Sequence, residues 1–124
     1  GMARSEESLK KALEKIPQIR EDFWKHVRVV GDENTINPEL ERAGRVADFL
    51  EFAEVMVRDA LERRESCGAH FRVEYQTEDG EAKRNDAEYS YAFVWEYAGD
   101  GKAPILNKEP ITHDEVAPVV RSYK

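Results

Sequence analysis

The run Arg63-Arg64-Glu65-Ser66-Cys67-Gly68-Ala69-His70-Phe71-Arg72 sets a thiol, an imidazole, a carboxylate and three guanidinium groups within ten residues, closer than anywhere else in the chain. Three chemistries are open to it. Cys67 and His70 stand three apart and, with Glu65 and His113, could make a zinc-like ligand set. The chain has no second cysteine and no paired-histidine spacing, which argues against a metal. As a nucleophile, Cys67 would gain from Arg63 and Arg64 but would lie at the negative end of a helix, where a thiolate is disfavoured. The better reading is a buried, inert thiol. His70 has no serine or second histidine placed to complete a relay, so it is expected to hydrogen-bond a carbonyl or carboxylate across an interface.

A second candidate surface is aromatic. Tyr89, Tyr91, Phe93, Trp95 and Tyr97 occupy every second position, so a strand would carry five rings on one face. Such a face could stack bases or a flavin ring, but it also suits packing over a helical layer. The net charge of -7 favours packing, because nucleic-acid binding needs a clustered basic surface. No nucleic-acid partner is expected. No glycine-rich dinucleotide fingerprint or phosphate-cradling loop occurs.

The elements that position these residues follow from periodicity. From Ser5, apolar residues at Leu9, Leu13, Ile16, Ile19 or Arg20, Phe23, Val27 and Val30 make one helical stripe to about residue 29. Pro17 removes an amide donor and predicts a kink or short break near Ile16. Asn37-Pro38-Glu39 is a helix start, with Asn as N-cap and Pro at the first helical position. The second helix is expected to run to about residue 65. Leu40, Ala43, Ala47, Leu50, Val57 and Leu61 lie on one side, and Phe49, Phe52, Val55, Met56 and Ala60 widen the arc beyond what one partner helix covers. Gly68 is expected to end that helix as its left-handed cap, with Arg58, Arg63 and Arg64 in the last two turns.

After Arg72 the period changes to two. Phe71, Val73 and Tyr75 predict a strand, 77–81 a turn, 82–88 an irregular polar stretch, and 89–97 the aromatic strand. Gly99-Asp100-Gly101-Lys102 is a hairpin turn, and 103–108 returns as an edge strand between Pro104 and Pro110. Thr112 with Glu115 could cap one helical turn before an extended tail. The charge runs Lys10-Lys11, Arg20-Glu21-Asp22 and 62–65 are expected to be solvated faces.

At 124 residues the chain is expected to form a single domain around one core. Gly1-Met2 resembles a tag scar and carries no structural argument. The lone cysteine suits a reducing compartment, which points to the cytoplasm, and no apolar run approaches the roughly 18 residues of a membrane span.

The motif at 64–72 resembles the E-S-R-G-A-H-x-R signature near the end of the flavoprotein subunit of succinate dehydrogenase and fumarate reductase. The resemblance extends over the first helix, Asn37-Pro38, Arg84-Asn85-Asp86-Ala87-Glu88-Tyr89, the aromatic hairpin and the closing Pro118-Val119-Val120-Arg121-Ser122-Tyr123. Cys67 departs from it, standing where the family usually has arginine; Asn85 and Ala87 replace positions that are often acidic or amide.

The resemblance implies a C-terminal domain that is not catalytic alone, with residues 3–124 as the flavoprotein C-terminal helical domain. Its fold would be α+β, mainly α. A long antiparallel helix pair, part of a three-helix, spectrin-repeat-like bundle, occupies 3–72, and an aromatic β hairpin with an extended tail occupies 73–124. It implies an FAD-dependent oxidoreductase parent, with FAD and the catalytic residues upstream and no cofactor or metal held by this piece. The expected partners are the FAD-binding domain of the same subunit and an iron-sulfur subunit, with the parent complex attached to the cytoplasmic face of the membrane through other subunits. Arg63, His70, Arg72 and Arg121 are the candidates for interdomain contact, as polar groups at element ends. The uncovered arc of the second helix raises a homodimer of the fragment. The rival reading is a free-standing helical interaction module.

Overall fold

The computed structural model describes residues 3–32 and 34–122. It contains helices α1 (Glu6–His26), α2 (Pro38–Glu62) and α3 (Asp86–Tyr89), then strands β1 (Tyr91–Glu96) and β2 (Ile105–Pro110). The chain divides into two compact units: Glu7–Leu61, and the described residues on either side of it.

In the helical unit α1 carries the expected stripe as far as Phe23, but it ends at His26 rather than near residue 29, so Val27 lies beyond it and Val30, the last position expected on the stripe, is exposed. Leu9 is buried, and Leu13, Ile16, Phe23 and Val27 are half-buried. At the ambiguous position the inward residue is Arg20, while Ile19 is exposed. Arg20 is therefore not on a solvated face. Its Nη1 donates to Glu51 at 2.8 Å and to Glu54 at 2.9 Å, and Arg58 reaches the other oxygen of Glu54 at 2.9 Å. These bonds tie late α1 to the second half of α2. α1 passes through Pro17 without a break. A proline costs one amide bond, about 3 kcal/mol in a helix interior, and the ladders on either side carry the helix across it.

The α2 start is built as its sequence predicts. The Asn37 side-chain oxygen accepts the Glu39 amide at 3.1 Å, and its nitrogen donates to the Val30 carbonyl at 3.0 Å. Both ends of the interhelical connection are thereby fastened to one side chain. Gly31 has φ +125°, and a Cβ there would run into the Asn37 amide, so only glycine fits. The wide apolar arc of α2 is only partly covered. Leu50, Val57 and Leu61 are half-buried and Ala60 buried, whereas Leu40, Val46, Phe49, Phe52 and Met56 are exposed.

In the other unit β1 and β2 form a two-stranded antiparallel sheet, from Tyr91 opposite Pro110 to Glu96 opposite Ile105. Exposure alternates along β1, with Tyr91, Phe93 and Trp95 on the more buried face. Tyr89 joins their row from α3, whereas Tyr97 is 75% exposed and instead donates to Asp100. The row is thus four rings, not five. Pro110 sits at the strand end, where its missing amide costs no interior ladder bond.

Three local expectations fail. No strand forms over 71–76. Arg72 pairs with Arg4 and Gln76 with Ala82, each as a single bridge, and the Tyr75 amide turns back to the Arg72 carbonyl at 2.9 Å. Alternation alone makes no ladder when successive residues meet different partners. Residues 112–115 form no helical turn, and the chain only bends at 114–115. Gly68 does not end α2, which stops at Glu62, ahead of Arg63 and Arg64.

Candidate functional site

The segment after α2 is a tight loop. Cys67 and His70 exchange both backbone bonds, at 2.9 and 3.0 Å, around Gly68 and Ala69. Gly68 has φ +57° and Ala69 is not left-handed, the geometry of a hairpin turn with glycine at its first central position. The left-handed glycine is real, but it serves this turn rather than a helix cap.

The motif's polar groups bond one another and three neighbouring stretches. Ser66 is fully buried; its hydroxyl accepts the Arg72 amide at 2.8 Å and donates to the Arg72 carbonyl at 3.2 Å, closing the loop at its base. Its own amide donates to the Lys83 carbonyl at 2.9 Å. Glu65, 3% exposed, accepts Arg63 Nη1 on one oxygen and the Asn85 amide on the other, both at 2.8 Å. A buried carboxylate is tolerated when each oxygen is bonded in this way.

Arg63 faces the sheet. Its two terminal nitrogens donate to the Tyr89 and Tyr91 carbonyls at 3.2 and 2.9 Å, and its guanidinium carbon lies over the Phe93 ring. The planar fork of an arginine can satisfy a carboxylate, two carbonyls and an aromatic face together.

His70 and Arg72 fasten the N-terminal segment. Arg4 pairs in parallel fashion beside Arg72, its amide donating to the Phe71 carbonyl at 3.0 Å and its carbonyl accepting the Val73 amide at 2.8 Å. Arg4 Nη1 lies 3.0 Å from His70 Nδ1, and His70 Nε2 lies 2.9 Å from the Arg63 carbonyl. Only the tautomer with its proton on Nε2 makes both bonds, so His70 is neutral here. Burial lowers its pKa, and the Arg4, Arg72 and Arg63 charges add to that effect against the Arg63 carbonyl. Arg72, 1% exposed, donates through Nε to Glu74 at 3.0 Å; the other Glu74 oxygen accepts the Glu6 amide, the first of α1, at 2.6 Å.

This wiring decides the chemistry. With both ring nitrogens engaged, His70 has no lone pair for a metal or for the Cys67 proton. Cys67 itself is half-buried, less enclosed than expected. Among the described residues no three His, Cys, Asp or Glu side chains are grouped to hold a metal ion. Arg63, His70 and Arg72 are brought into one cluster. Arg121 lies on the exposed C-terminal tail, which is tied in by Arg84 donating to the Val119 carbonyl at 3.0 Å and by Ser122 with Glu81 at 3.3 Å. Sequence reasoning missed Arg4 and Glu74. Their partners lie 66 and 68 residues away, beyond any local pattern.

The family model described as "Fumarate reductase flavoprotein C-term" matches residues 1–123. The fumarate reductase flavoprotein subunit of Haemophilus influenzae is 28% identical over 123 residues, which is 99% of this chain and 19% of that protein. A solved quinol-fumarate reductase with menaquinol molecules superposes with a TM-score of 0.77 at 26% identity, over 96% of this chain and 20% of the other. The Mycobacterium smegmatis Sdh1 complex in its apo form shares the fold, with a TM-score of 0.73 at 23% identity over 94% of this chain and 18% of that one. The chain thus spans about a fifth of the length of the relatives it matches.

Proposed function

The chain belongs to the fumarate reductase flavoprotein C-terminal family, and from that premise we propose that it serves as the non-catalytic, structural C-terminal domain of an FAD-dependent succinate dehydrogenase or fumarate reductase flavoprotein subunit. The parent subunit interconverts succinate and fumarate on its flavin and passes electrons to an iron-sulfur subunit. FAD and the groups that touch substrate lie in the remaining four fifths of that subunit. The parent complex sits at the cytoplasmic face of a membrane, held there by other subunits; among the described residues no helix of this chain is long and apolar enough to cross one.

The observation that carries this reading is the closed wiring of the 63–72 loop. Its imidazole and its buried acid are spent on internal bonds, which suits a joint and not a reacting centre. Residues 3–124 form the domain, and its contacts with the FAD-binding domain are set around Arg63, His70, Arg72 and Arg121. In the first three, the side chains act by fixing the loop whose exposed turn, Gly68 and Ala69, is presented outward; Arg121 acts from the tail. In the isolated chain, the apolar arc of α2 is covered by a second copy. The free-standing interaction module gives way to the family assignment. Flavin retention and succinate turnover, measured on the purified chain, test the proposal: both are expected to be absent.

A further inference from the structure

The loop contains a titratable group that the structural role above leaves unused as a sensor. His70 bridges two segments far apart in sequence, taking a hydrogen bond from Arg4 on Nδ1 and giving one to the Arg63 carbonyl from Nε2. The first of these bonds needs the Nδ1 lone pair, and an imidazolium has none.

We infer that His70 is an acid-sensitive latch: neutral, it clasps the segment carrying Arg4 to the 63–72 loop, and protonated, it lets that segment go. The step is a single proton transfer from solvent to Nδ1. The Arg4 Nη1–H to Nδ1 bond breaks, the Nε2–H bond to the Arg63 carbonyl remains, and a new cation stands among three others.

The surroundings favour release over accommodation. From the N-terminal segment the imidazole faces Arg4, from the end of α2 Arg63, and from the loop Arg72. The nearby carboxylates are committed elsewhere: Glu65 to Arg63 and the Asn85 amide, Glu74 to Arg72 and the Glu6 amide. None is hydrogen-bonded to His70. An imidazolium here would meet repulsion from three guanidinium groups without a carboxylate of its own, and the lowered pKa of His70 agrees with that.

Release is local. The Glu74 bond to the Glu6 amide does not depend on His70 and keeps holding the start of α1. What opens is the short parallel pairing in which the Arg4 amide meets the Phe71 carbonyl and the Val73 amide meets the Arg4 carbonyl. Those two amides therefore report the latch.

The test is amide hydrogen exchange on the 124-residue chain across the acid range, corrected for intrinsic rates, beside a nitrogen-15 titration of the histidine rings. Above the ordinary histidine value of 6.5, the Arg4 and Val73 amides should be protected and His70 should carry its proton on Nε2. Protection of both amides should be lost in step with His70 protonation. In His70→Gln, whose amide can make both bonds and does not titrate, protection should persist across the same range. Three results would overturn the latch: His70 protonated on Nδ1 or titrating as a free imidazole, protection unchanged while His70 protonates, or the same loss of protection in His70→Gln.

Discussion

The Arg63 guanidinium carbon lies 4.4 Å from the centre of the Phe93 ring, so the residue just past the long helix is seated on the aromatic face of the hairpin. One side chain joins the loop to the sheet by charge, by hydrogen bonds to two strand-side carbonyls and by ring contact. Replacing it leaves the Glu65 carboxylate buried without its cation. Arg63→Ala should cost about 3 kcal/mol, read as a lower urea midpoint. Arg63→Lys should recover only part of this, because an ammonium has neither the planar fork that spans these acceptors nor the flat face that lies on the Phe93 ring. A lysine variant of full stability would show that only the charge matters.

Two glycines should respond in opposite directions to alanine. Gly68 has φ +57° with open space around it, so Gly68→Ala meets no clash and pays only the left-handed backbone cost, about 1–2 kcal/mol. Gly44 lies within α2, also with nothing near its missing Cβ, and Gly44→Ala should stabilise by about 0.5–1 kcal/mol. Thermal unfolding of the two variants checks the opposite signs.

The elements legible in the sequence were those whose cause is local. Asn37-Pro38 marks the start of α2 because cap and proline act within one turn, and the rings of β1 alternate because a single partner strand, β2, pairs along its whole length. The segment 71–76 carries the same alternation but meets Arg4 at one residue and Ala82 at another, a fact no window of sequence contains. Gly68 is left-handed, as its place after the helical stretch suggests, yet whether such a glycine ends a helix or turns a hairpin depends on Cys67 finding His70. The site was legible as a cluster and as a family signature. Its wiring was not, since Arg4, Glu74 and Asn85 are brought to it only by the fold.

Stability should fall with acid in two separate steps. Because His70 binds its proton less readily when folded, its contribution is complete above the ordinary value of 6.5 and is lost as pH drops below it toward the lowered folded value. Burial works to raise the Glu54 carboxyl, but hydrogen bonds from Arg58 and Arg20 outweigh it and hold the pKa down. Its contribution is complete above the ordinary 4.5 and is lost only as pH falls below that toward the folded value. Urea midpoints measured against pH should show the upper step vanish in His70→Gln and the lower step shrink in Glu54→Gln.

Val46, Phe49, Phe52 and Met56 recur at helical spacing on α2 and are 44%, 63%, 62% and 51% exposed. Fully burying a side chain of this kind contributes roughly 1.5–3 kcal/mol, so the isolated chain should self-associate through this face. Sedimentation at rising concentration should show a dimer that Phe49→Glu with Phe52→Glu disperses. A species that stays monomeric throughout would remove this face as a contact.

A structural domain whose chemistry resides elsewhere in its subunit should neither hold flavin nor turn over succinate. The most direct test is the flavin absorbance of the purified chain after incubation with FAD and gel filtration, with dye-linked succinate oxidation assayed on the same sample. The protein should leave the column colourless and show no turnover. A chain that carries stoichiometric flavin through the column, or oxidises succinate, would contradict the structural role.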